Sequence, residues 1–164
     1  MSIEHEYFGI VGGDGGSYWS EVVDCGDQQV EVVLQADGDE LAADALDVAA
    51  GMISGIEDLD ADVREAFVAE LARASTPTAQ FLALVQETLE PEEIEDAIAR
   101  ESGDREIDIL RSLVLERVEF RPANGGEDEA FAVFEYSFAA DESDARLLAS
   151  VDRDSDVVEV LLED

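Results

Sequence analysis

The sequence predicts an α+β fold: an antiparallel β-sheet, built from N-terminal hairpin strands and a C-terminal four-stranded meander, packed with a central helical segment. Three observations carry that prediction. Runs rich in β-branched and aromatic residues occupy both ends of the chain, apolar residues recur at three- and four-residue steps through the middle, and turn-forming residues separate the segments. At 164 residues and 46% hydrophobic content, the chain suits a single compact domain over 1–164 that buries roughly 70% of its unfolded surface.

The N-terminal third contains "EYFGIV", "SYWSEVV" and "QQVEVVLQ", each of strand length and each bounded by glycine-containing turns. The "CGDQ" turn makes the second and third a hairpin. Helical periodicity then begins: Leu41, Ala45, Val48, Ala49, Met52, Ile53 and Ile56 form one apolar face with acids opposite. "LDADVREAFVAELARA" repeats the pattern through Val63, Phe67 and Leu71, and "STPTAQFLALVQETL" does so through Phe81, Leu82, Val85 and Leu89. Ser75 and Thr76 ahead of Pro77 form a helix start, and Pro91 opens a short acidic helix, "PEEIEDAIAR", in the same way. A last helical turn around Ile107 and Leu110 leads into four strand-length runs, "LVLERVEFR", "AFAVFEYSF", "ARLLASVD" and "VVEVLLE". Their linkers, "PANGGEDE", "AADES" and "RDSD", are polar or contain Asn-Gly, as a meander requires. Strict alternation in the second run places Phe134, Tyr136 and Phe138 on one sheet face, with Phe131 and Val133 on the other.

Charge narrows the functional classes. The chain has 43 Asp plus Glu against 9 Lys plus Arg, a formal net charge of −34, and every one of those cations is arginine. Three layouts account for such an excess: a disordered acidic tail, a nucleic-acid mimic with its carboxylates on one face, or an acidic surface adapted to a saline cytoplasm. The acids interleave with apolar residues in every region, which argues against a tail and for the saline adaptation. Self-repulsion among them opposes compaction in dilute buffer, and molar salt, with a Debye length of about 3 Å, removes most of it. A polyanion without lysine clusters gains nothing from counterion release on nucleic acid or from an anionic bilayer, so neither is expected as a partner. Non-specific cations at the acidic surface are. No apolar run reaches the ~20 residues of a membrane span, the N-terminal "MSIEHEYFGI" lacks signal-peptide character, and the single Cys25 excludes an intrachain disulfide. A reducing, cytoplasmic location is the expectation.

Chemistry-bearing motifs are few. "GIVGGDGGSYW" is rich in glycine, but counting from Gly13 the third fingerprint position is Tyr18, strand-like residues follow, and no lysine is present for a phosphate loop. Gly12, Gly13, Gly15 and Gly16, with Asp14 at the tip, therefore read as a hairpin link. In "DRDSDVVEVLLE", Asp152, Asp154, Asp156 and Glu163 fall at positions 1, 3, 5 and 12 of a calcium loop, yet Val157 stands where that loop needs glycine and the flanks are strands. A hairpin turn is the better reading. His5, the one histidine, sits in an N-terminus expected to fray, and Cys25 lies among acids that raise its pKa. No catalytic, cofactor-binding or metal-binding residue is assigned.

The N-terminal "EYFGIV", the run "LVLERVEFRP" followed by an acidic loop, "AFAVFEYSF" and the closing "LLASVDRDSDVVEVLLED" resemble the prokaryotic family of domain of unknown function DUF2004. The resemblance covers both ends of the chain and omits the helical middle. It implies a shared Tyr-Phe-Gly start, an aromatic-acid-aromatic strand carried here by Phe134, Glu135 and Tyr136, and a final hairpin; it implies no activity or cofactor. The expected function is a non-enzymatic α+β domain acting through protein contacts, with a hetero-partner or a homo-oligomer. The alternatives are an acidic immunity or nucleic-acid-mimic inhibitor of a basic partner, and a carboxylate- or metal-dependent enzyme.

Overall fold

A computed structural model describes residues 2–5, 9–12, 18–26, 28–35, 43–73, 75–98, 102–121, 130–139 and 143–163. Strands β1 (Ser2–His5) and β2 (Gly9–Gly12) pair antiparallel as a small sheet of their own. Six further strands, β3 (Tyr18–Cys25), β4 (Gln28–Gln35), β5 (Val114–Phe120), β6 (Ala132–Ser137), β7 (Arg146–Val151) and β8 (Val157–Glu163), lie side by side in chain order. Between β4 and β5 run five helices: α1 (Ala43–Ser54), α2 (Ile56–Glu70), α3 (Pro77–Thr88), α4 (Pro91–Ala97) and α5 (Arg105–Arg111). The α+β class and both multi-stranded segments of the sequence reading hold.

The sheet is not antiparallel throughout. β4 and β5 are parallel, with Glu31 opposite Arg117 and Leu34 opposite Phe120. Parallel neighbours need a long crossover, and the helical segment is that crossover; it joins the hairpin and the meander into one sheet. The N-terminus also departs from expectation. "SIEH" is polar and lacks a β-branched run, so it reads as frayed, but its backbone pairs with β2 and sets His5 opposite Gly9. Gly12 closes β2 opposite Ser2, and β2 and β3 belong to different sheets, so the glycine-rich stretch does not join two strands of one hairpin. Residues 6–8 and 13–17, including Tyr7, Gly13, Asp14, Gly15 and Gly16, and Leu41 of the first helical pattern lie outside the described residues.

Helix boundaries follow local chemistry. Only Gly55 separates α1 from α2, and Ile56, grouped with the first helix by periodicity, opens the second. Gly55 N–H still donates to Gly51 O and its carbonyl accepts from Leu59 N–H, both at 3.1 Å, so hydrogen bonding continues across the joint. Thr76 caps α3: its hydroxyl accepts from Ala79 N–H at 3.3 Å, with Pro77 in the first turn. Thr76→Ala is expected to lower unfolding stability by about 1 kcal/mol. Urea titration in molar salt checks this, and an unchanged midpoint would show that the cap contributes nothing. α5 is two turns rather than one because Asp104 caps it, accepting from Ile107 N–H at 3.2 Å.

The helices pack on one sheet face. Phe134, Tyr136, Val118, Phe120, Leu147 and Ala149 of the sheet join Phe67, Phe81, Leu82 and Leu46 of the helices in one buried cluster. Phe138 belongs to it as expected. Phe131 does too: it precedes the first residue of β6, alternation does not extend to it, and it packs edge-on against Phe120 at 6.1 Å. Val133 alone of the predicted pair is on the other face.

Candidate functional site

A polar node lies in the core beneath α2. Asp60 sits on the apolar stripe that Val63 and Phe67 continue, so its carboxylate points at the sheet and is buried. Four groups converge on it. The Tyr136 hydroxyl donates to Oδ1 at 2.7 Å, Arg64 Nε donates to the same oxygen at 2.9 Å, and Gln28 Nε2 donates to Oδ2 at 3.5 Å. The Cys25 thiol faces Oδ2 at 4.0 Å. Arg64 then reaches Gln28 Oε1 at 3.0 Å and the Arg111 carbonyl at 3.4 Å, and its guanidinium lies 5.3 Å from the centre of the Tyr136 ring. Gln28 Oε1 also accepts from Leu115 N–H at 2.8 Å, which ties β4 to β5.

This node is a clamp. Both carboxylate oxygens of Asp60 face donors of the chain itself, Oδ1 closely, from Tyr136 and Arg64, and Oδ2 more loosely, from Gln28 and Cys25. Burial, and then the Asp60 and Glu57 carboxylates, push the Cys25 thiol up to about 11, so it stays protonated and is a poor nucleophile. Burial and Asp60 likewise hold the Tyr136 phenol well above its ordinary range. A cleft of about 520 Å³ opens beside the node, lined by Gln28, Glu57, Arg64 and Arg111 among others. The acids that raise the thiol come from α2 and not from the neighbouring Asp24. The readable signal for the node was Asp60 itself, a carboxylate on an apolar stripe with arginine four residues on.

The calcium-like spacing forms a tight turn. Asp152 Oδ1 accepts from Asp154 N–H at 2.9 Å and Asp156 N–H at 3.0 Å, and Asp152 N–H donates to the Asp156 carbonyl at 3.0 Å. Ser155 takes a positive φ of 70°. Glu163 is at the far end of β8, opposite Arg146, roughly 20 Å of strand away from the turn. The four acids do not converge, and among the described residues no group of three or more His, Cys, Asp or Glu side chains is placed to hold a metal.

The second sheet face is different in kind. Register lines up one row across all six strands: Val22, Glu31, Arg117, Glu135, Leu148 and Leu161. The row below holds Val114 and Ser137 beside Arg146 and Glu163. Charges interlock: Arg146 Nε meets Glu116 Oε2 at 3.0 Å, and Arg121 Nε meets Glu119 Oε1 at 3.5 Å. Burial, with Glu163 and Glu116 nearby, raises the pKa of Glu135 against the pull of Arg117 and Arg146. Val33, Ser137 and Ser150 are buried on this face, flanked in the register by Glu119, Arg146 and Glu159. The large apolar side chains that the described part of the chain leaves exposed, Val22 at 60%, Val114 at 45% and Leu161 at 44%, all belong to it. Periodicity showed which residues alternate, but which strands stand next to one another, and so which side chains make a surface, came only from the register.

Among the described residues no helix is long and apolar enough to cross a membrane. No family model, curated protein or solved structure matches the chain.

Proposed function

We propose that this chain is a non-enzymatic protein-contact domain of a saline, reducing cytoplasm, and that its contact surface is the face of the six-stranded sheet away from the helices. One observation carries the reading: the exposed large apolar residues of the described chain, Val22, Val114 and Leu161, share that face. The same face carries three arginines, Arg117, Arg121 and Arg146, in a protein with only 9 cations against 43 acids. That face mixes arginines with its carboxylates, whereas exposed Asp44, Asp47, Glu57, Asp58, Asp62 and Glu65 make the outer side of α1 and α2 strongly acidic. The donors that already meet Asp60 and the raised thiol of Cys25 support a structural role for this buried polar node. The resemblance to DUF2004 adds no activity that competes with this reading.

The experiment is affinity capture at molar salt with the intact chain as bait, run beside Leu148→Glu/Leu161→Glu. The expected result is a stoichiometric protein, either a second chain type or untagged bait co-expressed with it, retained by the wild type and lost by the double variant. Retention by both, with loss only when Asp58, Asp62 and Glu65 become amides, would move the contact to the acidic helices and favour the inhibitor of a basic partner.

A further inference from the structure

We infer that the cleft beside the Asp60 node binds a small zwitterionic amino acid, with its ammonium on Asp60 and Glu57 and its carboxylate on Arg111. This goes beyond the protein-contact reading and uses neither a protein partner nor the sheet face.

The argument starts from an acceptor with capacity left. A carboxylate offers about four lone-pair sites, and buried polar atoms are normally satisfied. Asp60 Oδ1 meets two short donors, the Tyr136 hydroxyl at 2.7 Å and Arg64 Nε at 2.9 Å. Among the described residues, Oδ2 meets the Gln28 amide at 3.5 Å and the Cys25 thiol at 4.0 Å, both at the outer limit of hydrogen bonding. Asp60 keeps 12% of its side chain exposed and lines the cleft, so a stronger donor reaches it from there. Glu57, three residues earlier on the same face of α2, lines the cleft too, held at its wall by the Gly26 N–H that donates to Oε1 at 2.9 Å. The opposite pole is Arg111, the exposed last residue of α5, which makes no ion pair within 4.0 Å among the described residues although acids outnumber cations 43 to 9. A single guanidinium, that of Arg64, bridges Asp60 to the Arg111 carbonyl at 3.4 Å, so a short amino acid and the flexible Arg111 side chain together span the two poles.

Other ligands fit less well. The charges that line the cleft, Glu57, Asp60, Arg64 and Arg111, sum to zero. A simple cation therefore meets two guanidinium groups, and a simple anion meets two carboxylates on a chain of net charge −34. A zwitterion carries no net charge to be repelled and sets each pole against its opposite. A quaternary ammonium has no N–H for Oδ2, and the aromatic face that would attract it, that of Tyr136, is already taken by the Arg64 guanidinium at 5.3 Å. The volume, about 520 Å³, lies within the ~300–1,000 Å³ of small-molecule sites. Buried Leu113 and half-exposed Val114 give the cleft an apolar flank, which suits a short aliphatic side chain.

The test is a titration of the full chain with L-valine in about 2 M KCl, where the general acidic surface is screened, followed by the amide NMR shifts of Gly26 and Leu113. Isobutylamine and isovalerate, which carry the ammonium and the carboxylate separately on the same carbon frame, are the matched probes. Saturable shifts are expected with L-valine at a Kd of about 1 mM. Each half-ligand should bind about tenfold more weakly or worse, since it forgoes the charge-assisted hydrogen bonds of one pole. Glu57→Gln, which keeps an acceptor for the Gly26 N–H, and Arg111→Gln alter exposed side chains, and each is expected to weaken L-valine by about tenfold or more. Arg111→Gln should leave isobutylamine no weaker. Asp58→Asn, exposed on the same helix but outside the cleft, removes one charge and should change nothing; circular dichroism reports the fold of every variant. No saturable shift with L-valine, isobutylamine bound as tightly as L-valine (a cation at an acidic surface only), or L-valine binding indifferent to both cleft variants overturns the inference. None of these outcomes touches capture at the sheet face, so the two readings fail separately.

Discussion

Asp60→Ala is expected to cost about 3–5 kcal/mol of stability, because it removes one member of a buried ion pair and leaves its partners unmatched. Arg64 would keep a guanidinium with 18% exposed side chain and no carboxylate, and the Tyr136 hydroxyl would lose the acceptor it now meets at 2.7 Å in the core. Tyr136→Phe should cost less, about 1.5–3 kcal/mol, since it removes one hydrogen bond to a charged group while Arg64 and Gln28 still hold Asp60. Its ring, edge-on to Phe67 at 5.2 Å, is retained. Cys25→Ala should be mildest of the three, because a thiol 4.0 Å from the carboxylate contributes mainly its packing. Chemical denaturation in molar salt measures the order. An Asp60→Ala cost under about 1 kcal/mol would mean that the pair behaves like an exposed salt bridge, and that the clamp between α2 and the sheet is not a clamp.

The second large effect is salt dependence. Folded helical and sheet circular dichroism is expected in molar KCl and should be lost below a few tenths molar, with the change reversed by adding salt. Like charges about 7 Å apart repel by roughly 0.6 kcal/mol in water, and a surface carrying 43 acids holds many such neighbours. Nine arginines cannot neutralise them, and pairs such as Arg105–Glu95 at 3.2 Å and Arg64–Asp60 at 2.9 Å reach only a few. Their summed repulsion is comparable with the 5–15 kcal/mol that stabilises an ordinary domain. Screening falls off over about 10 Å at 0.1 M and about 3 Å at 1 M, so the transition should lie between these. A neutral osmolyte at equal water activity serves as the control, since it strengthens burial without screening. Full structure in low-salt buffer would show that the acids are spaced widely enough to be tolerated, and the saline adaptation would lose its physical basis.

Much of this molecule is local and so was legible in one dimension. Ala45, Ala49, Met52 and Ile53 are buried as their spacing demanded, Thr76 caps the helix that Pro77 begins, and the turn in "RDSD" closes β7 onto β8. Each of these depends on residues within a few positions of one another. Phe131 lies one residue before β6, where the period-2 pattern no longer holds, so alternation assigns it to the wrong face. The pairing of β1 is made by backbone and leaves no pattern in the residues Ser2–His5.

By itself the sequence determined the α+β class, the polyanionic surface and the absence of lysine, since periodicity and composition belong to the chain whatever its shape. Tertiary structure decided the rest. The parallel junction of β4 with β5 depends on where the helical crossover returns, and Asp60, Tyr136 and Gln28 become neighbours only when α2 settles on the sheet. Val22 and Leu161 lie near opposite ends of the chain and share a row only through five successive strand pairings. Long-range register is set by the balance of core packing over the whole domain, and no window of sequence contains it.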